Sequence, residues 1–230
     1  MIEDSLSRRA HVVNYDQDII PTKEEIDELL RLAYTLVTSK QKGYPYKIYV
    51  LGPNKKRSKK LWQLCEGNKI TTDTIAYGDA GDNYRANLGL YHIDSAPWTL
   101  IATPRVAPPN PFHRKNFDES KSLWELEDPI FVGKQNRESC AIEVGMLAKA
   151  ITGAALDRGW DTSYNVCFPK NMNQWTEFPY LTYYPFLIQT LGKATKYKWQ
   201  TLSKEDSKND SDPPFETIFE FVDNKQDSHV

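Results

Sequence analysis

The residues best able to do chemistry in this 230-residue chain are few and scattered. Cys65, Cys140 and Cys167 lie far apart and form no C-x-x-C pair, so neither a disulfide framework nor a structural zinc site is implied. The four histidines, His11, His92, His113 and His229, include no H-x-x-x-H pair, which argues against a protein-ligated metal. Cys167 has no assignable histidine partner and reads as a small buried thiol rather than a nucleophile. Gly78 and Gly81 make no phosphate-loop pattern. The conspicuous cations are Arg8-Arg9, the run from Lys55 to Lys60, and the pair Lys196 and Lys198. With a net charge of −2 the chain offers no field that would gather nucleic acid or an acidic membrane, so the basic run reads as a solvated face.

The elements that must position these groups are organised around Ser139 to Phe168. Residues 141–156 are apolar or small nearly all round, with only Glu143, Lys149 and Thr152 interrupting, which predicts a helix buried on most sides. Gly159 is a stop signal, and Tyr164 to Phe168 is expected to follow as a short extended run lining the place where chemistry occurs. Upstream, Asp4 to His11 reads as a short helix. Thr22 with Glu25 makes a capping box for an amphipathic helix through Val37. Tyr46–Leu51 alternates as a strand, 55–65 reads as a helix, Tyr84–Tyr91 as a further helix, and Ala96–Ala102 as a second buried strand. Tyr183–Thr190 is a third strand. Glu216–Val222 alternates strictly and predicts a last strand. Residues 1–230 therefore read as a single domain, with a lid or insertion at 104–130. A flexible linker follows at 203–214, then a C-terminal strand at 215–222 and a tail at 223–230. No run approaches the roughly 18–20 apolar residues of a membrane span. The polar N-terminus does not read as a secretory signal, and a reducing cytoplasm is the expected compartment.

In this order the signals resemble the nitroreductase family of FMN-dependent oxidoreductases. Arg8-Arg9-Ala10-His11-Val12-Val13-Asn14-Tyr15 is similar to the family's opening Arg-Arg-Ser-x-Arg-x-Phe motif. Thr38-Ser39-Lys40-Gln41-Lys42-Gly43-Tyr44-Pro45-Tyr46 stands where the family has its Pro-Ser-x-x-Asn-x-Gln-Pro-Trp loop. The Ala96-Pro97 strand, the Ala-rich helix with its Gly-led sequel, and the late strand ending at Gly192 follow in order. The resemblance implies an α+β fold: a three-layer sandwich with a central, mostly antiparallel sheet flanked by helices. It also implies a homodimer in which the C-terminal strand is exchanged.

What the resemblance implies for the site is specific. Arg9, or Arg8 if the register slips by one, meets the FMN phosphate, and His11 replaces a serine donor. Thr38, Ser39, Lys40 and Lys42 form the loop that wraps the partner's cofactor, and Asn87 reaches the flavin edge. Tyr164, Asn165, Val166 and Cys167 match the family's Pro-x-Glu-Gly, where a backbone N–H meets flavin N5. Lys196 and Lys198 add phosphate cations. NADH or NADPH would supply hydride, and a small electron-poor acceptor such as a nitroaromatic or quinone would receive the electrons in ping-pong fashion. The flavin performs the redox step, so no catalytic side chain is named. The losses at Ala10, Val13 and Val166 leave an alternative: a degenerate, non-enzymatic member acting as a dimeric binding or regulatory protein.

Overall fold

The computed structural model describes residues 12–39, 43–67, 92–105, 134–181, 183–197 and 215–218. In chain order these hold β1 (Val12–Tyr15), α1 (Lys23–Leu36), β2 (Tyr46–Leu51), α2 (Lys55–Gly67), α3 (His92–Ser95) and β3 (Trp98–Pro104). They continue with α4 (Lys134–Asp157), β4 (Asp161–Asn165), a 3-10 turn (Met172–Gln174), β5 (Leu187–Gly192), β6 (Ala194–Tyr197) and α5 (Phe215–Ile218).

The main sheet is antiparallel throughout, in the order β2-β3-β5-β4. Its register sets Ile48 beside Ala102, Leu100 beside Gln189, and Gln189 in turn beside Tyr164. Because successive side chains alternate between faces, Leu100, Ala102 and Leu191 meet α1 and α4, packing on Ile26, Leu29, Val144, Leu147 and Ile151. Ile101 and Ile188 meet the other layer, formed by Leu61, Ile93, Phe168, Trp175 and Phe178. The result is the expected three layers. A second ladder pairs β1 with β6, the first and last described strands.

Local chemistry explains the boundaries. Thr22 caps α1 as predicted: its hydroxyl accepts from the Glu25 amide at 3.1 Å, and Glu25 accepts from the Thr22 amide at 2.7 Å. Asn54 caps α2 by accepting from the Arg57 amide at 3.0 Å. Gly159 ends α4 at φ +77°, a left-handed conformation that suits glycine, and the Trp160 amide reaches back to Ala155 O at 2.9 Å.

Several expectations need correction. The central helix is not buried on most sides: Cys140, Val144, Ala148, Ile151 and Ala155 face the core, while Ile142 is 65% and Met146 54% exposed. Over Glu138–Asp157 its hydropathy reaches that of a membrane-spanning segment by length and composition, contrary to the sequence reading, yet half of that stretch is buried within the fold. The extended run begins at Asp161 rather than Tyr164, and Val166 to Phe168 have already left the ladder. The third strand begins at Leu187 instead of Tyr183, because Pro185 has no N–H to give and the first tie to β3 is the Phe186 amide on Ala102 O, at 2.7 Å. At the C-terminus, Phe215–Ile218 is a helical turn where a strand was expected. A helical turn satisfies its backbone locally, and Pro213-Pro214 ahead of it favours a helix start. The expected helices at 4–11 and 84–91, the 104–130 insertion beyond Arg105, and residues 219–230 lie outside the described residues.

Candidate functional site

β4 reads Asp161-Thr162-Ser163-Tyr164-Asn165, with little apolar character, yet Asp161, Thr162 and Ser163 are all buried. Buried polar groups must be paired, and each face of this edge strand finds partners. Asp161 accepts from the Ala194 amide at 2.9 Å, which docks β6 against the start of β4. Thr162 and Tyr164 turn towards α4, where the Thr152 hydroxyl lies 2.9 Å from Thr162 Oγ1 and hydrogen-bonds Tyr164 Oη. Beyond Asn165 the chain turns, with Asn165 Oδ1 accepting from the Cys167 amide at 2.8 Å. Val166 projects outward, 61% exposed.

β1 is held at the same sheet edge. Tyr15 Oη and Thr190 Oγ1 are 2.9 Å apart, the Tyr15 amide donates to Ser95 Oγ at 3.0 Å, and the Asp16 amide donates to Lys193 O at 2.7 Å. Gly192 fits here because a Cβ would stand 2.6 Å from Pro97 Cγ and 3.0 Å from Tyr15 Cδ1. The β1–β6 register sets Val12 beside Tyr197 and Asn14 beside Lys196. In sequence, Arg8, Arg9 and His11 stand just before β1 and Lys198 just after β6; all four lie outside the described residues. The candidate turn at 165–167 lies at the far end of β4 from the Asp161–Ala194 contact. From Asp161 to Asn165, β4 spans about 14 Å at roughly 3.4 Å per residue.

A third region closes the end of the sheet near α1. Ser39 is buried, and its hydroxyl accepts from the Tyr44 amide at 2.8 Å. Tyr44 has φ +48°, the one positive value among non-glycine residues described, and such a conformation costs about 1–2 kcal/mol. It is held there by Arg105, whose Nε donates to Tyr44 O at 3.1 Å and whose Nη2 donates to Gly43 O at 3.2 Å. Cys140 Sγ donates to Pro45 O at 3.0 Å. The Tyr34 and Tyr44 rings sit 5.4 Å apart, and hydrogen bonding to Tyr34, then burial, raises the Tyr44 phenol above its ordinary pKa. Burial, reinforced by the Glu143 carboxylate, raises Tyr46 much further.

The predicted site residues therefore divide. Tyr164 directs its hydroxyl into the core against α4. Of the two proposed backbone donors, the Cys167 amide is engaged by Asn165, which leaves Val166. Cys167 itself is half-buried, not fully buried as expected. Thr38 is exposed, whereas Ser39 is buried with its oxygen accepting inside its own turn. Lys196 lies on β6, and nothing is described of its side chain. Arg8, Arg9, His11, Lys40, Lys42, Asn87 and Lys198 lie outside the described residues. Sequence reasoning missed Arg105, Thr152 and Gln189. Only Thr152 carried a signal, as an interruption of an apolar helix.

No protein-family model matches the chain, and no curated protein sequence does. Solved structures do. A Staphylococcus epidermidis structure assigned as an NAD(P)H:FMN oxidoreductase aligns over 96% of each chain with a TM-score of 0.62 at 16% identity. An Exiguobacterium sibiricum structure, assigned as a nitroreductase in complex with FMN, aligns over 96% of this chain and 97% of its own, with a TM-score of 0.62 at 15% identity. The NfrA1 nitroreductase of Bacillus subtilis aligns over 98% of this chain and 77% of its own, with a TM-score of 0.65 at 12% identity. The likeness runs from end to end, and the chain has the nitroreductase-like fold.

Proposed function

We propose that this chain is an FMN-dependent oxidoreductase that works as a homodimer in the cytoplasm. The observation that carries the reading is the end-to-end likeness to a structure that holds FMN. When bound, FMN would supply hydride transfer at N5, from NADH or NADPH to a small electron-poor acceptor in ping-pong order. The protein's part is to bind and orient. Arg9 or Arg8, with Lys198, would neutralise the phosphate next to the β1–β6 ladder. The Val166 amide is the donor for the ring edge, at the end of an edge strand that is clamped from behind. A backbone donor survives the replacement of the family's glutamate by Val166. Thr38, on the loop after α1, would contact the partner's cofactor. The exposed stripe Ala141, Ile142, Gly145 and Met146 is the dimer face, because two large apolar side chains beside small residues permit close approach of a second helix. No membrane or nucleic-acid partner is proposed.

The test is turnover. Protein loaded with FMN should oxidise NADH or NADPH in the presence of a quinone or nitroaromatic, with parallel double-reciprocal lines. Absence of turnover with either donor, while FMN stays bound, would remove the oxidoreductase reading. A second reading, a dimeric binding protein without catalysis, is favoured by how two of the expected contact residues are engaged. The Cys167 amide, one of the expected donors, donates internally to Asn165, and Ser39 is buried with its oxygen accepting from the Tyr44 amide. A colourless stable dimer would select it.

A further inference from the structure

The central helix carries one hydroxyl deep in its buried face. Thr152 is 2% exposed, and its Oγ1 is 3.1 Å from Ala148 O, 2.9 Å from Thr162 Oγ1 and 3.2 Å from Gln189 Nε2, besides its bond with Tyr164 Oη. Proton counting limits the directions. A threonine oxygen has two lone pairs and one proton, so it cannot accept from Gln189, Thr162 and Tyr164 together. One arrangement consistent with this count has Gln189 donating to Thr152 and to Ala148 O, the latter at 3.1 Å. In it Thr162 donates to Thr152, Thr152 donates to Tyr164, and Tyr164 donates to Ala148 O at 3.1 Å. One hydroxyl thus ties α4 to both β4 and β5.

This knot stops one residue short of the Asn165–Cys167 turn. The turn carries the Asn165–Cys167 bond, and Val166 at its tip is largely exposed, so packing does not fix the tip. What fixes it lies behind it. We infer that Thr152 is a positioning residue of the candidate site: its hydroxyl sets where β4 delivers the Val166 amide. The inference rests on reading that turn as the edge that meets the flavin ring.

The experiment compares Thr152→Val, of nearly the same shape, with Thr152→Ser, which restores the hydroxyl. Two readouts are taken: the midpoint potential and Kd of bound FMN, and amide hydrogen exchange at residues 164–168 without FMN. The expected result for Thr152→Val is FMN binding weakened at least tenfold, a displaced midpoint potential, and exchange at 165–167 at least tenfold faster with β3 unchanged. Thr152→Ser should return all three towards the wild type. Wild-type potential, affinity and exchange in Thr152→Val would overturn the inference while leaving the flavin reading intact. Should the wild-type protein hold no FMN, the flavin reading fails, and the exchange comparison alone decides whether Thr152 positions the turn. If Thr152→Val does not fold, Tyr164→Phe, which cuts the same knot at the strand, is read by the same measurements.

Discussion

The two faces of the main sheet are covered differently. On one, Phe168, Trp175, Phe178, Leu61, Ile93, Ile101 and Ile188 form an aromatic and aliphatic layer, with Trp175 edge-on to both Phe168 and Phe178 at 6.1 and 5.8 Å. On the other, α1 and α4 bring apolar side chains, and α4 also carries Thr152 into the knot with Thr162, Tyr164 and Gln189. Apolar burial is non-directional and scales with area. A buried polar knot is directional and costly when broken. The difference teaches that the aromatic face mainly supplies stability, whereas the helical face also fixes geometry where β4 turns towards the candidate site.

The comparison can be broken most forcefully at Trp175. Its ring is 1% exposed and its indole N–H donates to Pro169 O at 3.0 Å. Trp175→Ala should cost about 3–5 kcal/mol of unfolding free energy in a urea titration, while exchange at 165–167 stays near wild type. Equal loosening of that turn would erase the distinction. Gln189→Leu removes both amide donors from the knot, leaving Ala148 O and Thr152 short of partners, and should cost about 1–3 kcal/mol by the same titration, now with faster exchange at 165–167. A smaller effect belongs to pH. Tyr46 is buried, and its phenol is raised from 10.0 by burial first and Glu143 second. The folded state therefore holds this proton above the pH at which the unfolded chain releases it. The stability contributed is complete below pH 10.0 and is lost as pH rises from there through the folded value. Tyr46→Phe should flatten the alkaline decline in unfolding free energy; an unchanged slope would contradict the assignment. The least effect on the fold itself is expected at Ile142. Ile142→Glu should move chain stability by no more than about 0.5 kcal/mol yet convert a dimer to a monomer in sedimentation velocity. A persistent dimer would place the interface elsewhere.

How much could be read from sequence follows from what each element relies on. The α1 cap, the stop at Gly159 and the strands β2 and β3 rely on local patterns: a capping box, a left-handed glycine, alternation or continuous burial. These were legible. β4 was misread by three residues because Asp161, Thr162 and Ser163 look like a polar loop; they are buried only because α4, β5 and β6 supply partners from elsewhere in the chain. The same holds for the 43–45 turn. Arg105 is an ordinary residue after a strand until Gly43 and Tyr44 carbonyls converge on it. The two-sided character of α4 was hidden for the opposite reason. An apolar stripe facing outward has the same composition as one facing inward, and only packing separates Ile142 and Met146 from Val144 and Ile151. The C-terminal alternation from Thr217 predicted a strand, but a strand needs a neighbour, and in one chain Phe215–Ile218 coils instead.

The central claim is that this fold holds a flavin, and the visible absorption spectrum tests it most directly. The purified protein would be examined as isolated, then after incubation with excess FMN and desalting. The account predicts a retained flavin spectrum close to one FMN per chain that bleaches anaerobically on addition of NADH or NADPH. A protein that elutes colourless from excess FMN would contradict it.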